Sequence, residues 1–321
     1  MGDLEPILRA EIERSGPLPF RRFMERALYH PEHGYYASGR DPFGKGGDFY
    51  TAEQIQPVFG RLIAQALEDL RGEMGEAKDF SVVELGAGRG EMEPYLAHLD
   101  YHGIDVGRGE WPERLRGAFF ANEFFDALPV DAARRGAEGF REMRVGWDGG
   151  RFRWVEGPEL EGDDLRYALA NACDEEGAWV EIPRGAFTAL DRIAAVLSDG
   201  YLLVIDYGCR RPERNRFPRG TLMSYRGHQA FDDVLAEPGQ RDITAHVPFD
   251  ALMEHAGGLG LEMVRLESMT SYLLRAGERD RFARALEAPT EKESTRMRLQ
   301  LKTLLFGMGE TFRVALWRKR L

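Results

Sequence analysis

Three glycines and two acids fall within eight residues at Glu84-Leu85-Gly86-Ala87-Gly88-Arg89-Gly90-Glu91. A Gly-x-Gly-x-Gly run directly after an apolar stretch permits a tight strand-to-helix turn and lets backbone N–H groups approach a ligand. The spacing separates two cofactor classes. A dinucleotide fingerprint needs Gly-x-Gly-x-x-Gly, whereas here the third glycine comes one residue early and position 91 is Glu. Glu84 and Glu91 bracket the loop with negative charge, which repels a diphosphate but suits the α-amino group and sulfonium of S-adenosylmethionine. Glu84, Gly86, Ala87, Gly88 and Gly90 are therefore expected to line a pocket for that cofactor. The bland alternative is a plain tight turn with solvated carboxylates.

Further along, other polar residues end apolar segments. Asp105 lies close to the ~20-residue separation at which an acid meets ribose hydroxyls in doubly wound folds. Asn122, Glu123 and Asp126 follow the next apolar run, and ligands in such folds bind outside the carboxyl ends of the strands, so these three should line the same crevice. Asp126 could equally cap a following helix. His30 and His33 are separated by Pro31 and lack further clustered ligands, so no metal site is expected.

The elements that would position these residues can be read from periodicity and punctuation. Residues 1 to 28 read as helical, broken at Ser15-Gly16-Pro17, with Phe20, Phe23, Met24, Ala27 and Leu28 forming an amphipathic stripe. From His30 to Phe49 the density of Gly and Pro excludes regular structure. The interleaved Tyr35, Tyr36, Phe43, Phe49 and Tyr50 nonetheless argue for an ordered loop able to serve as a lid. A helix spans roughly Pro57 to Leu70. Phe80 to Leu85 reads as a buried parallel strand, a second strand ends at Ile104-Asp105, a third runs from Ala118 to Ala121, and a fourth from Tyr201 to Asp206. Leu190, Ile193, Ala194 and Leu197 mark the helix before the fourth. Strands alternating with helices predict a parallel α/β sheet. Phe140 to Val145 and Phe152 to Val155 flank Asp148-Gly149-Gly150, a β-hairpin signature. Ser271 to Arg275 and Thr311 to Trp317 both read as strands that would add an antiparallel C-terminal edge. The expected layout is a cap over 1–57 and a core over 58–321, with insertions at about 131–180 and 207–255.

Composition narrows the function class. The 321 residues, 43% of them hydrophobic, suffice for a sizeable core. No apolar run approaches the roughly 20 residues a membrane helix requires. The opening Met1-Gly2-Asp3-Leu4-Glu5 has neither a signal-peptide nor a transit-peptide pattern, so the expected location is the cytoplasm. Cys173 and Cys209 are the only cysteines, too few for a disulfide framework, and are expected to be reduced. With 43 basic against 54 acidic side chains the net charge is −11, which repels nucleic acid and favours a cationic partner.

Taken together these residues resemble the MidA-like family of class I methyltransferases, which includes a mitochondrial complex I assembly factor that methylates a protein arginine. The resemblance runs through nearly the whole chain. It rests on Phe23-Met24, Ala27-Leu28-Tyr29, Pro31-Glu32-His33-Gly34-Tyr35-Tyr36, Asp41-Pro42-Phe43-Gly44, Gly46-Gly47-Asp48-Phe49 and Thr51. It continues through Phe59-Gly60, the glycine loop, Asn122 to Val130, Asp206-Tyr207-Gly208, Gly220-Thr221-Leu222, Asp242-Ile243-Thr244, His246-Val247 and Gly307-Met308-Gly309-Glu310. It implies a Rossmann-like class I methyltransferase sheet, mostly parallel with an antiparallel C-terminal edge, plus an N-terminal helical cap and an inserted hairpin. It also implies a cofactor contact from Thr51 and methyl transfer to an arginine of a protein, a respiratory complex I subunit by analogy. This chain departs from the family where Gly90–Asp105 and Val106–Gly117 are compact, so the adenine side of the pocket is expected to be built differently.

Methyl transfer from a sulfonium is a direct displacement, so an enzyme mainly aligns the nucleophile and excludes water. A guanidinium nucleophile is planar and needs carboxylates that can fork onto it. Glu123, Asp126 and Asp48 are the candidates for that work, although Asp48 is also an ordinary turn residue after two glycines. Two other functions remain open at this stage: methylation of a small molecule, and a non-catalytic assembly protein that retains the sheet.

Overall fold

A computed structural model describes residues 4–37, 47–48, 52–309 and 311–321. Thr51, Tyr50, Phe49 and Phe43, and with them most of the expected aromatic lid, lie outside the described residues. The chain divides into two compact units, one comprising 1–49, 126–188 and 209–250, the other 50–125, 189–208 and 251–321.

The second unit carries the α/β sheet. Its strands run in the order Glu262–Ser268, Phe312–Lys319, Leu197–Cys209, Leu115–Asn122, Ser81–Leu85, Tyr101–Ile104. The pairings from Leu197–Cys209 to Tyr101–Ile104 are parallel, and the two C-terminal strands add antiparallel pairs at the other edge. Ser81–Leu85 and Leu115–Asn122 are almost wholly buried, as strands covered on both faces should be. The helix Val58–Glu73 buries Val58, Phe59, Leu62, Ile63, Ala66, Leu67 and Leu70 into a core shared with Val82, Phe120, Leu203, Ile205, Met269 and Leu273.

The expectation of a strand over Ser271–Arg275 is wrong. Residues Met269–Glu278 form a helix whose Met269, Tyr272, Leu273 and Ala276 are buried, the i, i+3, i+4, i+7 stripe of a helix. The Ser268 hydroxyl caps it by accepting the Ser271 N–H at 3.2 Å. A five-residue window was too short to reveal that stripe, and the edge strand is Glu262–Ser268 instead.

Between Ile104 and Leu115 the chain forms a turn bridged from Asp105 to Arg108 and then a stretch with neither helix nor strand. Trp111 anchors that stretch, lying against Phe119 with ring centroids 5.5 Å apart and under the Arg192 guanidinium at 4.1 Å. The compact segment is therefore packed by a single aromatic rather than by an additional helix.

The first unit is built on antiparallel strands. Leu18–Pro19, Phe140–Asp148, Asp131–Arg135 and Trp179–Ile182 lie in that order, and Arg151–Glu159 pairs with Phe140–Asp148. Gly149 and Gly150 both adopt positive φ at the hairpin turn, the conformation a two-residue type I′ turn demands. Helices Leu4–Ser15 and Phe20–Tyr29 bury Leu4, Leu8, Phe20, Phe23, Met24, Ala27 and Leu28 against Val130, Met143 and Val145. A small sheet of Gln229–Phe231, Met223–Arg226 and Asp242–Thr244 completes the unit.

Candidate functional site

The carboxyl ends of the parallel strands bring Glu84, the glycine loop, Asp105, Asn122 and Glu123 to one edge of the sheet in the second unit. Gly86, Gly88 and Gly90 all have positive φ, 75°, 48° and 83°. At Gly86 a Cβ would also meet the Phe124 ring at 3.1 Å, so both conformation and packing require glycine there.

The loop N–H groups do not behave as expected. Gly86 and Ala87 donate to the Ile104 carbonyl at 2.9 and 3.1 Å, Gly88 donates to Asp105 Oδ2 at 2.5 Å, Arg89 donates to Glu91 Oε2 at 3.1 Å, and Gly90 donates to the Ala87 carbonyl at 2.7 Å. The donors that would cradle a phosphate are thus consumed inside the protein. The glycines shape the turn rather than present donors to a ligand.

Asp105 takes part in this internal bonding. Its second oxygen accepts the Val106 N–H at 2.6 Å, and Arg108 donates to the Gly88 carbonyl at 2.8 Å, so the turn after Tyr101–Ile104 latches the glycine loop.

What faces the site is rich in acceptors. Glu84 is 1% exposed; one of its oxygens accepts the Tyr101 hydroxyl, and Oε1 has no partner among the described residues. Glu53, which the sequence reading did not single out, is 6% exposed on the short turn Ala52–Gln54, meets the Glu84 side chain, and likewise has an Oε1 without a partner among the described residues. Asn122 is buried at the end of its strand, with its amide donating to Glu123 Oε1 at 3.3 Å and its Oδ1 without a partner among the described residues. Burial pushes the Glu84 carboxyl up to about 7, opposed by the hydrogen bonds from Tyr101 and Glu53 and reinforced by the charges of Glu91 and Asp105. Burial, followed by the Glu84 charge, drives Glu53 well above the carboxylate range.

Buried acceptors without donors cost free energy until a donor arrives. A ligand bearing an ammonium group and hydroxyls supplies such donors, and a pyrophosphate supplies none. The residues present therefore fit S-adenosylmethionine.

Glu123 sits at φ 49°, its N–H donating to the Ile205 carbonyl at 2.9 Å. Its Oε1 also accepts the Ala52 N–H at 2.9 Å, which with the Asn122 amide fixes the carboxylate's direction. Buried Asp206, from the neighbouring strand, accepts the Phe125 N–H at 2.9 Å and holds the segment after Glu123.

Asp48 and Asp126 belong to the other unit. Asp48 accepts the Tyr35 hydroxyl at 2.7 Å and the Gly227 N–H at 2.6 Å. Asp126 is 5% exposed and acts, with Asp48, on buried Asp242, whose Oδ1 accepts the Tyr36 hydroxyl and the Ile243 N–H, each at 3.0 Å. Burial, then the Asp126 charge, lifts Asp242 to about 7. The sequence offered Asp242 only as part of a family motif and Glu53 only as a neighbour of one; neither lies at the carboxyl end of a strand, where the other acids stand.

A family model described as "Putative S-adenosyl-L-methionine-dependent methyltransferase" matches residues 98–266, a little over half of the chain. That span begins after the glycine loop, which longer similarities include. The chain is 29% identical over 317 aligned positions to Protein arginine methyltransferase NDUFAF7 of Danio rerio, covering 78% of this chain and 71% of that protein. To its Homo sapiens counterpart it is 26% identical, covering 96% and 82%. Among solved structures, one from Burkholderia thailandensis bound to S-adenosyl-homocysteine is 28% identical, with a TM-score of 0.87 over 98% of this chain and 92% of that one.

Proposed function

We propose that this chain, which belongs to the family of S-adenosyl-L-methionine-dependent methyltransferases, methylates an arginine side chain of a protein. Its methyl donor, S-adenosylmethionine, supplies when bound an electrophilic methyl carbon on a sulfonium. The observation that carries the acceptor assignment is the similarity over 96% of the chain to a protein arginine methyltransferase. The acidic, donor-poor site agrees with it.

In this reading the positive-φ glycine loop with Ala87 makes the floor of the cofactor pocket. Glu84 and Asn122 receive the cofactor's donors, and Thr51 is the further contact that the family resemblance implies. Asp105 latches the loop and accepts a ribose hydroxyl. Glu123, its direction set by Ala52 and Asn122, orients the guanidinium so that one nitrogen is aligned with the methyl carbon. The nitrogen would form the N–C bond as the C–S bond breaks, with sulfur keeping that electron pair and the nitrogen's proton passing to solvent water. Asp126 and Asp48, the further carboxylates that the sequence offers for a guanidinium, belong to the first unit, and a respiratory complex I subunit is the acceptor that the family resemblance implies.

The test is to incubate the purified chain with methyl-labelled cofactor and lysate from a strain lacking it, then to map the label by mass spectrometry. Label on arginine in one or a few proteins is expected. Label confined to lysine or to a small metabolite contradicts the acceptor assignment.

A further inference from the structure

We propose that Glu53 is the second half of a two-carboxylate clamp that, with Glu84, receives the α-ammonium group of the cofactor and releases a proton as it does so. The inference rests on the placement of the cofactor at the glycine loop made above, and not on the identity of the methyl acceptor.

Geometry brings these two acids together from distant parts of the sequence. Glu84 is fixed by its place in the strand Ser81–Leu85, one residue before its end. Glu53 is fixed because the residue before it, Ala52, is buried and donates its N–H to Glu123 Oε1. Both side chains are more than nine-tenths buried and touch each other. An ionised carboxylate only accepts hydrogen bonds, so the contact requires a proton between them in the free protein.

Among the described residues no cation is bonded to either acid. The groups acting on Glu53 are Glu84, Glu123 and Glu91; those acting on Glu84 are Tyr101, Glu53, Glu91 and Asp105. Arg108 acts on Tyr101, but its guanidinium is bonded to the Gly88 carbonyl. Each acid has a buried Oε1 to which no described residue donates, the second sign that a donor is to be received. An ammonium group carries one positive charge and three donors, and can therefore replace the shared proton while satisfying both free oxygens.

Proton release follows from that replacement. While the pair holds its proton the cofactor must displace it, so affinity should rise about tenfold for each pH unit over that range and level off once the free pair has lost the proton. The selectivity is for nucleoside thioethers that carry an amino-acid arm.

Calorimetric titration of the full chain at pH 6.5, in two buffers of different protonation enthalpy, counts the protons. S-adenosylhomocysteine should release about one proton, and 5′-methylthioadenosine, which lacks the amino-acid arm, should release none. Glu53→Gln should weaken S-adenosylhomocysteine about tenfold at pH 8 and leave methylthioadenosine affinity unchanged. Equal proton counts for the two ligands, or unchanged S-adenosylhomocysteine affinity in Glu53→Gln, would overturn the clamp. If that variant does not fold, the two-ligand comparison on the wild type decides alone. Glu84→Gln separates the two kinds of failure. Unchanged S-adenosylhomocysteine affinity there would overturn the placement of the cofactor, whereas weakened binding together with a wild type that releases no proton would overturn the clamp only.

Discussion

Each unit buries acids at close quarters, and Asp242 in the first and Glu84 in the second are supplied with donors differently. In the first unit Asp242 lies beside Asp126, and one Asp242 oxygen takes both a tyrosine hydroxyl and a backbone N–H, so the protein itself supplies its donors. In the second unit Glu84 lies beside Glu53, and each keeps a buried oxygen that no described residue serves. Asp242 and Glu84 are both lifted to about 7 by burial first of all, so the proton equilibrium alone does not tell them apart. The difference is in the supply of donors. A buried acid whose donors come from within is part of the scaffold, and one left short of donors is built for a ligand.

The largest effect expected from breaking this contrast comes at the glycine loop. Gly88 is held at φ 48° with its N–H on Asp105. Valine in that conformation is strained by about 1–2 kcal/mol and would pull the loop off its latch. Gly88→Val should weaken S-adenosylhomocysteine more than about 100-fold by calorimetry while circular dichroism still reports a folded chain, since one strained residue costs less than the usual 5–15 kcal/mol of a domain. Full affinity in the folded variant would contradict the pocket.

Next in size is Glu123→Gln. With cofactor affinity within about threefold of wild type, single-turnover transfer should fall roughly 100-fold, because misplacing a reacting group by about 1 Å costs that much. A matched loss of cofactor affinity would move Glu123 into the cofactor pocket instead.

Asp242, whose donors come from within, gives a pH signature. Asp242 titrates higher in the folded state than its ordinary 3.8, so its burial costs nothing below the unfolded value, and stability is lost as the pH rises through about 7. Asp242→Asn removes that charge. In thermal melts the variant should gain on wild type by about 2–3 kcal/mol between pH 5 and 8, and saturating S-adenosylhomocysteine should leave this difference in place. Parallel pH profiles would show that Asp242 is ionised without penalty.

Asp105→Ala is expected to have the smallest effect. Losing the latch to Gly88 and Val106, together with the ribose bond proposed for the same carboxylate, should weaken the cofactor by about 1–2 kcal/mol in calorimetry. An unchanged affinity would assign the ribose to another residue.

Much of this arrangement was legible beforehand because it depends on local rules. Apolar runs ending in Gly86, Asp105 and Asn122 became parallel strands, and the Gly149-Gly150 hairpin formed where turn chemistry placed it. What stayed hidden depends on contacts between distant segments. Glu53 matters only because the Ala52–Gln54 turn is pinned to Glu123, and Asp242 only because Tyr36 reaches it from 206 residues away. The inward direction of the loop N–H groups is set by the end of the neighbouring strand at Ile104, which no glycine spacing encodes. The stripe of the helix Met269–Glu278 runs from Met269 to Ala276, longer than the run Ser271–Arg275 that reads as a strand by itself.

The central claim is that the donor-poor end of the parallel strands receives the amino-acid arm of the cofactor. A crystal structure of this chain with S-adenosylhomocysteine tests it most directly. The account predicts the ligand's amino nitrogen within hydrogen-bonding distance, about 2.7–3.2 Å, of Glu84 and Glu53 oxygens. An amino nitrogen bonded elsewhere, with Glu53 and Glu84 still sharing their contact, would contradict it.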